Sequence, residues 1–132
     1  MAKKTIMKIP KGANIQLTKN FSSSELDCKC NNEDCTYTLI DLEHIVQLQK
    51  LRDVVGRLSI TSGYRCKKHN KAVGGSSRSQ HLLGTATDLV PHNYSILDLF
   101  NFVNPIFKGV GKYKTFIHVD SREGSSARWG TK

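Results

Sequence analysis

Two histidines and one aspartate in this sequence have the types and spacing that suit a bound metal ion. His81 and Asp88 lie seven residues apart in SQHLLGTATD (79–88), and His118 follows thirty residues later in FIHVD (116–120). Two imidazole nitrogens and one carboxylate oxygen form a ligand set that zinc takes in hydrolytic sites, where water fills the fourth position. Zinc bound in this way acidifies that water and polarises a carbonyl group. The three residues are therefore candidate ligands of a zinc ion.

The strand pattern around His118 adds an acidic neighbour. Side chains alternate along a strand, so His118 and Asp120 point to the same face of FIHVD. The opposite face carries Ile117 and Val119, which are apolar and suit a core. An imidazole and a carboxylate on one face form either part of a metal or acid–base site, or a hydrogen-bonded structural pair.

Two helices are predicted to support these side chains. The clearest is TLIDLEHIVQLQKLRDVVG (38–56), with Thr38 as its predicted cap and Gly56 at its end. Its apolar residues recur at helical spacing, and His44 is expected on its exposed side. The second helix is SILDLFNFV (95–103), which begins at a serine with an aspartate three residues on.

Strands and a long loop complete the predicted domain. Strands are expected in RLSITS (57–62), LGTATDLV (83–90) and KTFIHVDS (114–121), and a short helix is expected to start in FSSSEL (21–26). The glycine- and serine-rich segment SGYRCKKHNKAVGGSSRS (62–79) is predicted to be a functional loop. This order of helices and strands favours an α+β fold with a small antiparallel sheet and flanking helices.

Length and charge limit the classes of partner. The 132 residues fit a basic arm or edge strand over residues 1–18 and one domain over 19–132. We expect synthesis in a host cytoplasm without a signal peptide, no membrane segment and a monomeric protein. The net charge of +9 favours a polyanionic partner such as an anionic cell wall. Nucleic acid is not expected, because the lysines are not interleaved with aromatic residues.

The segment around the histidine and aspartate resembles a known family. The pattern S-x-H-x-x-G-x-A-x-D is met at every fixed position, and it is typical of zinc D-alanyl-D-alanine carboxypeptidases and L-alanyl-D-glutamate endopeptidases, which share a fold with the Hedgehog signalling domain. More of the chain, over about residues 20 to 129, resembles the carboxypeptidase-like branch found in phages and bacteria. The similar segments are FSSSELDCKC (21–30), SGYRC (62–66), VGG (73–75), GVGKYKTFIHVDSR (109–122) and ARW (127–129).

The resemblance assigns roles to individual residues. His81, Asp88 and His118 match the family's zinc ligands. Arg65, in SGYR, matches the arginine near the scissile carbonyl and the substrate carboxylate, and its forked guanidinium suits both groups. Tyr64 and Ser79 are expected beside the substrate, and Ser79 is also expected to shape its loop.

One position departs from the family pattern. Many relatives carry an acidic general base three residues before the last histidine ligand, and here that residue is Thr115. Threonine cannot accept the proton of a zinc-bound water. Asp120 is the replacement that we expect, either as the base or as the group that orients His118, and Glu123 is a weaker candidate.

Four cysteines form a second group. Cys28, Cys30 and Cys35 give the spacing C-x-C-x4-C, and Cys66 directly follows Arg65. Four thiolates could hold a second, structural zinc ion. Two disulfides or unpaired thiols are the alternatives. In a structural role, the cysteines would tie the 28–35 loop to the SGYR segment and so position Arg65.

The sequence therefore predicts a zinc peptidase that hydrolyses amide bonds in peptidoglycan stem or cross-bridge peptides. It would act on the cell wall as an endolysin, a virion-associated wall enzyme or a DD-carboxypeptidase-like enzyme. A non-catalytic zinc-binding module of the same fold is the alternative that Thr115 favours. A basic nucleic-acid-binding protein is the alternative that charge alone favours.

Overall fold

Seven strands, three α-helices and two short 3-10 helices form over residues 5–130, which are the residues that the computed structural model describes. The predicted basic arm lies in part outside them, since it includes residues 1–4. The α-helices are α1 (Leu42–Val55), α2 (Lys67–Ala72) and α3 (Ile96–Val103), and short 3-10 helices span Ser23–Leu26 and Gln80–Leu83. The strands are β1 (Ile6–Pro10), β2 (Tyr37–Asp41), β3 (Leu58–Ser62), β4 (Ala86–Pro91), β5 (Gly109–Lys112), β6 (Ile117–Asp120) and β7 (Ala127–Gly130).

Two sheets are formed. β1 and β2 pair as an antiparallel ribbon, so residues 6–10 of the predicted arm form an edge strand. The larger sheet has the order β3-β4-β6-β5-β7. The prediction of an α+β domain with a small antiparallel sheet is confirmed at every pairing of this sheet except that of β5 with β7, which is parallel. β5 and β7 were not predicted as strands.

The register of the large sheet places candidate site residues from different strands in one row. Ser62 of β3 lies opposite Asp88 of β4, and Asp88 lies opposite His118 of β6. The row continues from His118 to Gly111 of β5 and then to Trp129 of β7. Residues that are far apart in the sequence therefore become direct cross-strand neighbours. The Cβ atoms of two such residues on antiparallel strands lie about 5 Å apart.

Helix α1 begins later than the sequence predicts. Thr38 lies in β2, and the cap is Asp41, whose carboxylate accepts a hydrogen bond from the backbone N–H of Glu43. Residues 37–41 pair with β1, and this pairing overrides their helical pattern. Asp41 is also among the best capping residues. The helix ends at Gly56, as predicted.

The prediction that His44 lies on the surface is wrong. Its side chain is buried beneath the sheet, with Nδ1 2.8 Å from the Ser121 hydroxyl and Nε2 3.0 Å from the Thr87 hydroxyl. The helical pattern places His44 next to Ile45 on the buried side of α1. Its hydrogen bonds satisfy the polar ring and tie α1 to the strands that carry the candidate site.

The apolar core lies between the large sheet and helices α1 and α3. Helix α3 is capped by Ser95, as its spacing predicts, and contacts β4, β5 and β6. Ile117 and Val119 point into this core, so the opposite face of β6 is left for polar groups. The predicted loop 62–79 contains α2, which its glycine-rich composition concealed. Among residues 5–130, none of the helices has the length and apolar character needed to cross a membrane.

Candidate metal centre and groove

The three predicted ligands meet at one end of the sheet. Asp88 Oδ1 lies 3.2 Å from His81 Nε2 and 3.1 Å from His118 Nδ1. Ligands placed tetrahedrally about zinc at 2.0–2.1 Å are separated by roughly 3.3 Å, so these distances fit a shared ion. All three residues are buried.

His81 reaches the site from the 3-10 helix Gln80–Leu83. The Ser79 hydroxyl caps this turn by accepting the His81 backbone N–H. Gly84 ends it at φ +77°, and a Cβ there would overlap the carbonyl of Leu39. Only glycine combines this backbone angle with such close packing. The SQHLLG segment is therefore shaped so that the imidazole turns inward.

Hydrogen bonds fix which nitrogen of each imidazole faces Asp88. His81 Nδ1 lies 2.7 Å from the carbonyl oxygen of Gly63, which can only accept, so Nδ1 carries the proton and Nε2 is left with a lone pair. His118 Nε2 lies 2.7 Å from Asp120 Oδ2, which leaves Nδ1 toward Asp88. One carboxylate oxygen thus faces two imidazole nitrogens. That arrangement needs either extra protons or a cation between them.

Asp120 is fully enclosed. Besides His118, it binds Arg122, whose Nε lies 2.8 Å from Oδ1 and whose Nη2 lies 2.7 Å from Oδ2. A Cβ at Gly109, its partner across the β5–β6 ladder, would overlap both carboxylate oxygens. Asp120 therefore supports His118 from behind, and none of its surface is exposed.

The ionisation of these groups suits a divalent cation. Burial alone would raise the pKa of Asp88, but its contacts with His118 and His81 lower it to about 2. Burial opposes ionisation of Asp120 as well, yet the bonds from Arg122 and His118 hold its pKa well below the usual range. Burial would lower the pKa of His118, but Asp120 and Asp88 raise it above its ordinary value. Both carboxylates are therefore charged at neutral pH, which favours a cation between the ligands.

Arg65 is brought to the site, as predicted. Its guanidinium contacts the Ser62 hydroxyl at 3.1 Å, the Asn70 side-chain oxygen at 3.3 Å and Asp88 Oδ2 at 3.5 Å. The backbone N–H of Arg65 donates to the carbonyl oxygen of His81. Asp88 thus presents one oxygen to the imidazoles and the other to a fixed positive charge.

A groove of about 520 Å³ opens over the cluster. Three arginines lie along it, namely Arg65, Arg78 and Arg122. An aromatic wall faces them, in which Tyr113 stacks on Phe116 at 4.4 Å and the Trp129 ring lies 5.1 Å from that of His118. The other lining residues are Gly74, Gly75, Ser76, Ser79, Gln80, Asp88 and His118. Asp88 is the single carboxylate on this lining within the described residues.

Two predicted site residues, Tyr64 and Glu123, do not line the groove, and neither does Thr115, which stands where many relatives have the base. Tyr64 is buried against Tyr37 and lines a different cavity beside Cys35 and Cys66. Thr115 is exposed before β6, outside the groove lining. Glu123 is exposed on another depression of the surface. Ser79 does line the groove, while its hydroxyl also caps the turn that carries His81.

The four cysteines are also brought together. The Sγ atoms of Cys28, Cys30, Cys35 and Cys66 lie within 4.8 Å of one another, beside the segment that carries Arg65. The 28–35 loop and the SGYR segment therefore meet, as predicted.

Two contributors were missed by the sequence interpretation. Arg122 continues the alternation of His118 and Asp120, so the same period of two could have identified it as their neighbour. Trp129 comes from β7 and reaches the site only through the parallel pairing with β5. No pattern in the sequence near Trp129 predicts that pairing.

A comparison with known protein families gives a match to this chain. A family model described as Peptidase M15 matches residues 19–120, a span that includes the three predicted metal ligands and all four cysteines. A search of curated proteins found no match.

Proposed function

The chain belongs to the peptidase M15 family, a zinc-dependent family, and on that premise we propose that it is a zinc peptidase that hydrolyses amide bonds in peptidoglycan stem or cross-bridge peptides. The observation that carries the proposal is the single oxygen of Asp88 facing His81 Nε2 and His118 Nδ1 at 3.1–3.2 Å. A zinc ion held by these three atoms would supply an acidified water nucleophile and polarise the scissile carbonyl.

The remaining groups of the groove bind and orient. Arg65 is anchored by Ser62, Asn70 and Asp88, so its guanidinium can hold a substrate carboxylate or an oxyanion without first losing side-chain freedom. The arginines that line the groove favour an anionic peptide, and stem peptides carry free carboxylates. The aromatic wall offers apolar surface for the aliphatic parts of such a peptide.

Asp120 acts as a positioning residue in this proposal. Its hydrogen bond to His118 Nε2 fixes the ring so that Nδ1 faces the metal, and Arg122 keeps the carboxylate charged and in place. Because Asp120 is closed off from the groove, we assign it the orienting role rather than that of the base.

One observation favours a second candidate. Within the described residues the groove lining offers no carboxylate besides Asp88, which is itself a proposed ligand. A non-catalytic zinc-binding module of the same fold would need no base. The two candidates agree on metal binding and differ on turnover.

We further propose that the substrate is met at the bacterial cell wall, as for a phage lysin or a virion-associated enzyme. The net charge of +9 supports this setting, because it favours approach to an anionic wall.

The test is hydrolysis of purified peptidoglycan by the zinc-loaded protein. New amino and carboxyl termini, identified by mass spectrometry of the released peptides, would identify the bond cut. His81→Ala should abolish the release, whereas His92→Ala, which changes an exposed histidine outside the groove, should not. Binding of zinc without release of peptides from walls of differing cross-bridge chemistry would favour the non-catalytic module.

A further inference from the structure

We propose that Cys28, Cys30, Cys35 and Cys66 bind a second zinc ion in a closed structural site that holds the Arg65 segment beside the groove. The cluster lies apart from the groove, and none of its residues lines that groove. The site stands whether or not the chain hydrolyses peptidoglycan, because its first test counts metal.

The spacing of the sulfur atoms matches a tetrahedral zinc site. Cys66 Sγ lies 3.8 Å from Cys28 Sγ and 3.8 Å from Cys30 Sγ. Four sulfurs at about 2.3 Å from zinc are separated by roughly 3.8 Å along each tetrahedral edge. A disulfide would bring two sulfurs to about 2.05 Å. Every sulfur lies near the other three, whereas disulfides would draw the cluster into two pairs.

The surroundings supply donors rather than acceptors to the sulfurs. The backbone N–H of Cys66 points to Cys28 Sγ at 3.4 Å, and that of His69 points to Cys66 Sγ at 3.4 Å. Lys11 places its Nζ 3.5 Å from Cys30 Sγ and 3.7 Å from Cys35 Sγ. Four thiolates around one zinc ion carry two net negative charges. Backbone N–H groups and a lysine are the partners that such an anion needs.

The position of the cluster explains what the metal would do. Cys66 follows Arg65 directly, while the other three cysteines come from the loop before β2. Besides the cysteines, the two segments are joined by the hydrogen bond from the Tyr64 N–H to the Leu26 carbonyl at 2.9 Å and by the exposed ion pair of Lys68 with Asp34 at 2.8 Å. A zinc ion would cross-link Cys66 to three cysteines that precede it by 31 to 38 residues. It would thereby restrict the backbone from which Arg65 reaches Asp88.

Metal analysis of the purified protein tests the site. We expect two zinc ions per chain in the wild type, one in the double variant Cys30→Ala/Cys35→Ala, and one in His81→Ala. Each variant removes ligands from a different one of the two sites. Cobalt substitution of the wild type should give an intense sulfur-to-cobalt charge-transfer band that persists in His81→Ala. This measurement does not depend on the double variant folding.

Three results would overturn the site. They are a wild type with a single zinc that His81→Ala removes, a cobalt protein without the charge-transfer band, and a disulfide among the four cysteines in mass spectra of the zinc-loaded protein. Absorption typical of an iron–sulfur cluster would overturn the assignment to zinc.

The positioning of Arg65 has its own readout. The Nε–H of Arg65 donates to Ser62, so its nuclear magnetic resonance signal should exchange slowly with solvent in the wild type and in His92→Ala. It should exchange faster in Cys30→Ala/Cys35→Ala. Equal exchange in all three proteins would overturn the positioning role even if the zinc count is two.

Discussion

The two candidate metal clusters of this chain differ in how they are held. The cluster of His81, Asp88 and His118 is anchored on the sheet, where two of its members are cross-strand partners. The cysteine cluster joins a loop to the segment after β3, and no strand pairing links the two. In the proposed function, the first cluster needs a rigid frame because it must leave a coordination position of zinc open. The second offers four ligands, so in our proposal a metal ion would itself complete the frame.

They also differ in the groups around the ligands. The imidazoles are oriented by a carbonyl oxygen and a carboxylate, which accept hydrogen bonds from their far nitrogens. The cysteine sulfurs are contacted by N–H groups and an ammonium, which donate to them. Acceptors behind imidazoles raise ligand basicity, whereas donors behind thiolates disperse charge. The difference is the one that we expect if the first cluster is the proposed reactive site and the second the proposed structural site.

Removing an imidazole ligand should have the largest effect of the changes considered, and it should affect only one of the two clusters. His81→Ala should eliminate zinc from the groove and reduce hydrolysis to background, because two remaining ligands do not hold zinc in a catalytic geometry. Zinc content and peptide release measure the effect, with His92→Ala as the matched control. Retention of full activity would contradict the assignment of His81 as a ligand.

Asp120→Asn separates an orienting role from a basic one. Loss of the charge behind His118 should weaken zinc binding at the groove by about 10- to 100-fold, as measured by competition with a chromogenic chelator. The cysteine zinc should be unaffected. A variant with unchanged zinc affinity and no turnover would instead identify Asp120 as the base.

Arg122→Gln tests the layer behind Asp120. Losing the two-pronged contact should weaken zinc binding by about tenfold, the lower end of the range for such outer groups. Arg122→Lys should restore only part of the loss, because an ammonium cannot make the forked contact. Equal affinities in all three proteins would show that Asp120 holds its place without Arg122.

Gly111→Ala should have the smallest effect, and it tests whether Trp129 serves only the groove or also holds the metal ligand His118. The added Cβ would overlap the Trp129 ring, so the indole must move away from His118. We expect a raised KM, because one wall of the groove shifts, with zinc content and kcat little changed. A drop in zinc content would show that Trp129 also holds His118.

The ligands could be predicted because their signal is local or periodic. His81 and Asp88 belong to one short segment, and the placement of His118 follows from alternation along a strand. Helix α3 was likewise evident from its cap and apolar spacing. The boundary between β2 and α1 could not be predicted, because residues 38–41 suit either element and only their pairing with β1 decides between them.

The remaining features depend on contacts between distant parts of the chain. His44 is an ordinary helical residue until the hydroxyls of Thr87 and Ser121 meet it across the core. The roles of Asp120 and Arg122 depend on which ring nitrogen faces which oxygen. A sequence pattern can place two residues on one face, but it does not state the direction of a hydrogen bond.

The row that runs Ser62, Asp88, His118, Gly111, Trp129 has a consequence for how this domain can change over time. Each neighbour in the row is fixed by backbone pairing, so connections may lengthen or shorten outside the strands without disturbing it. The exposed turn over residues 92–94, between β4 and the core-packed helix α3, can therefore change in length. One residue inserted within β4 or β6 would instead turn a ligand into the core. Relatives of this chain should be sought by a variable gap between Asp88 and His118 and a constant gap between His81 and Asp88.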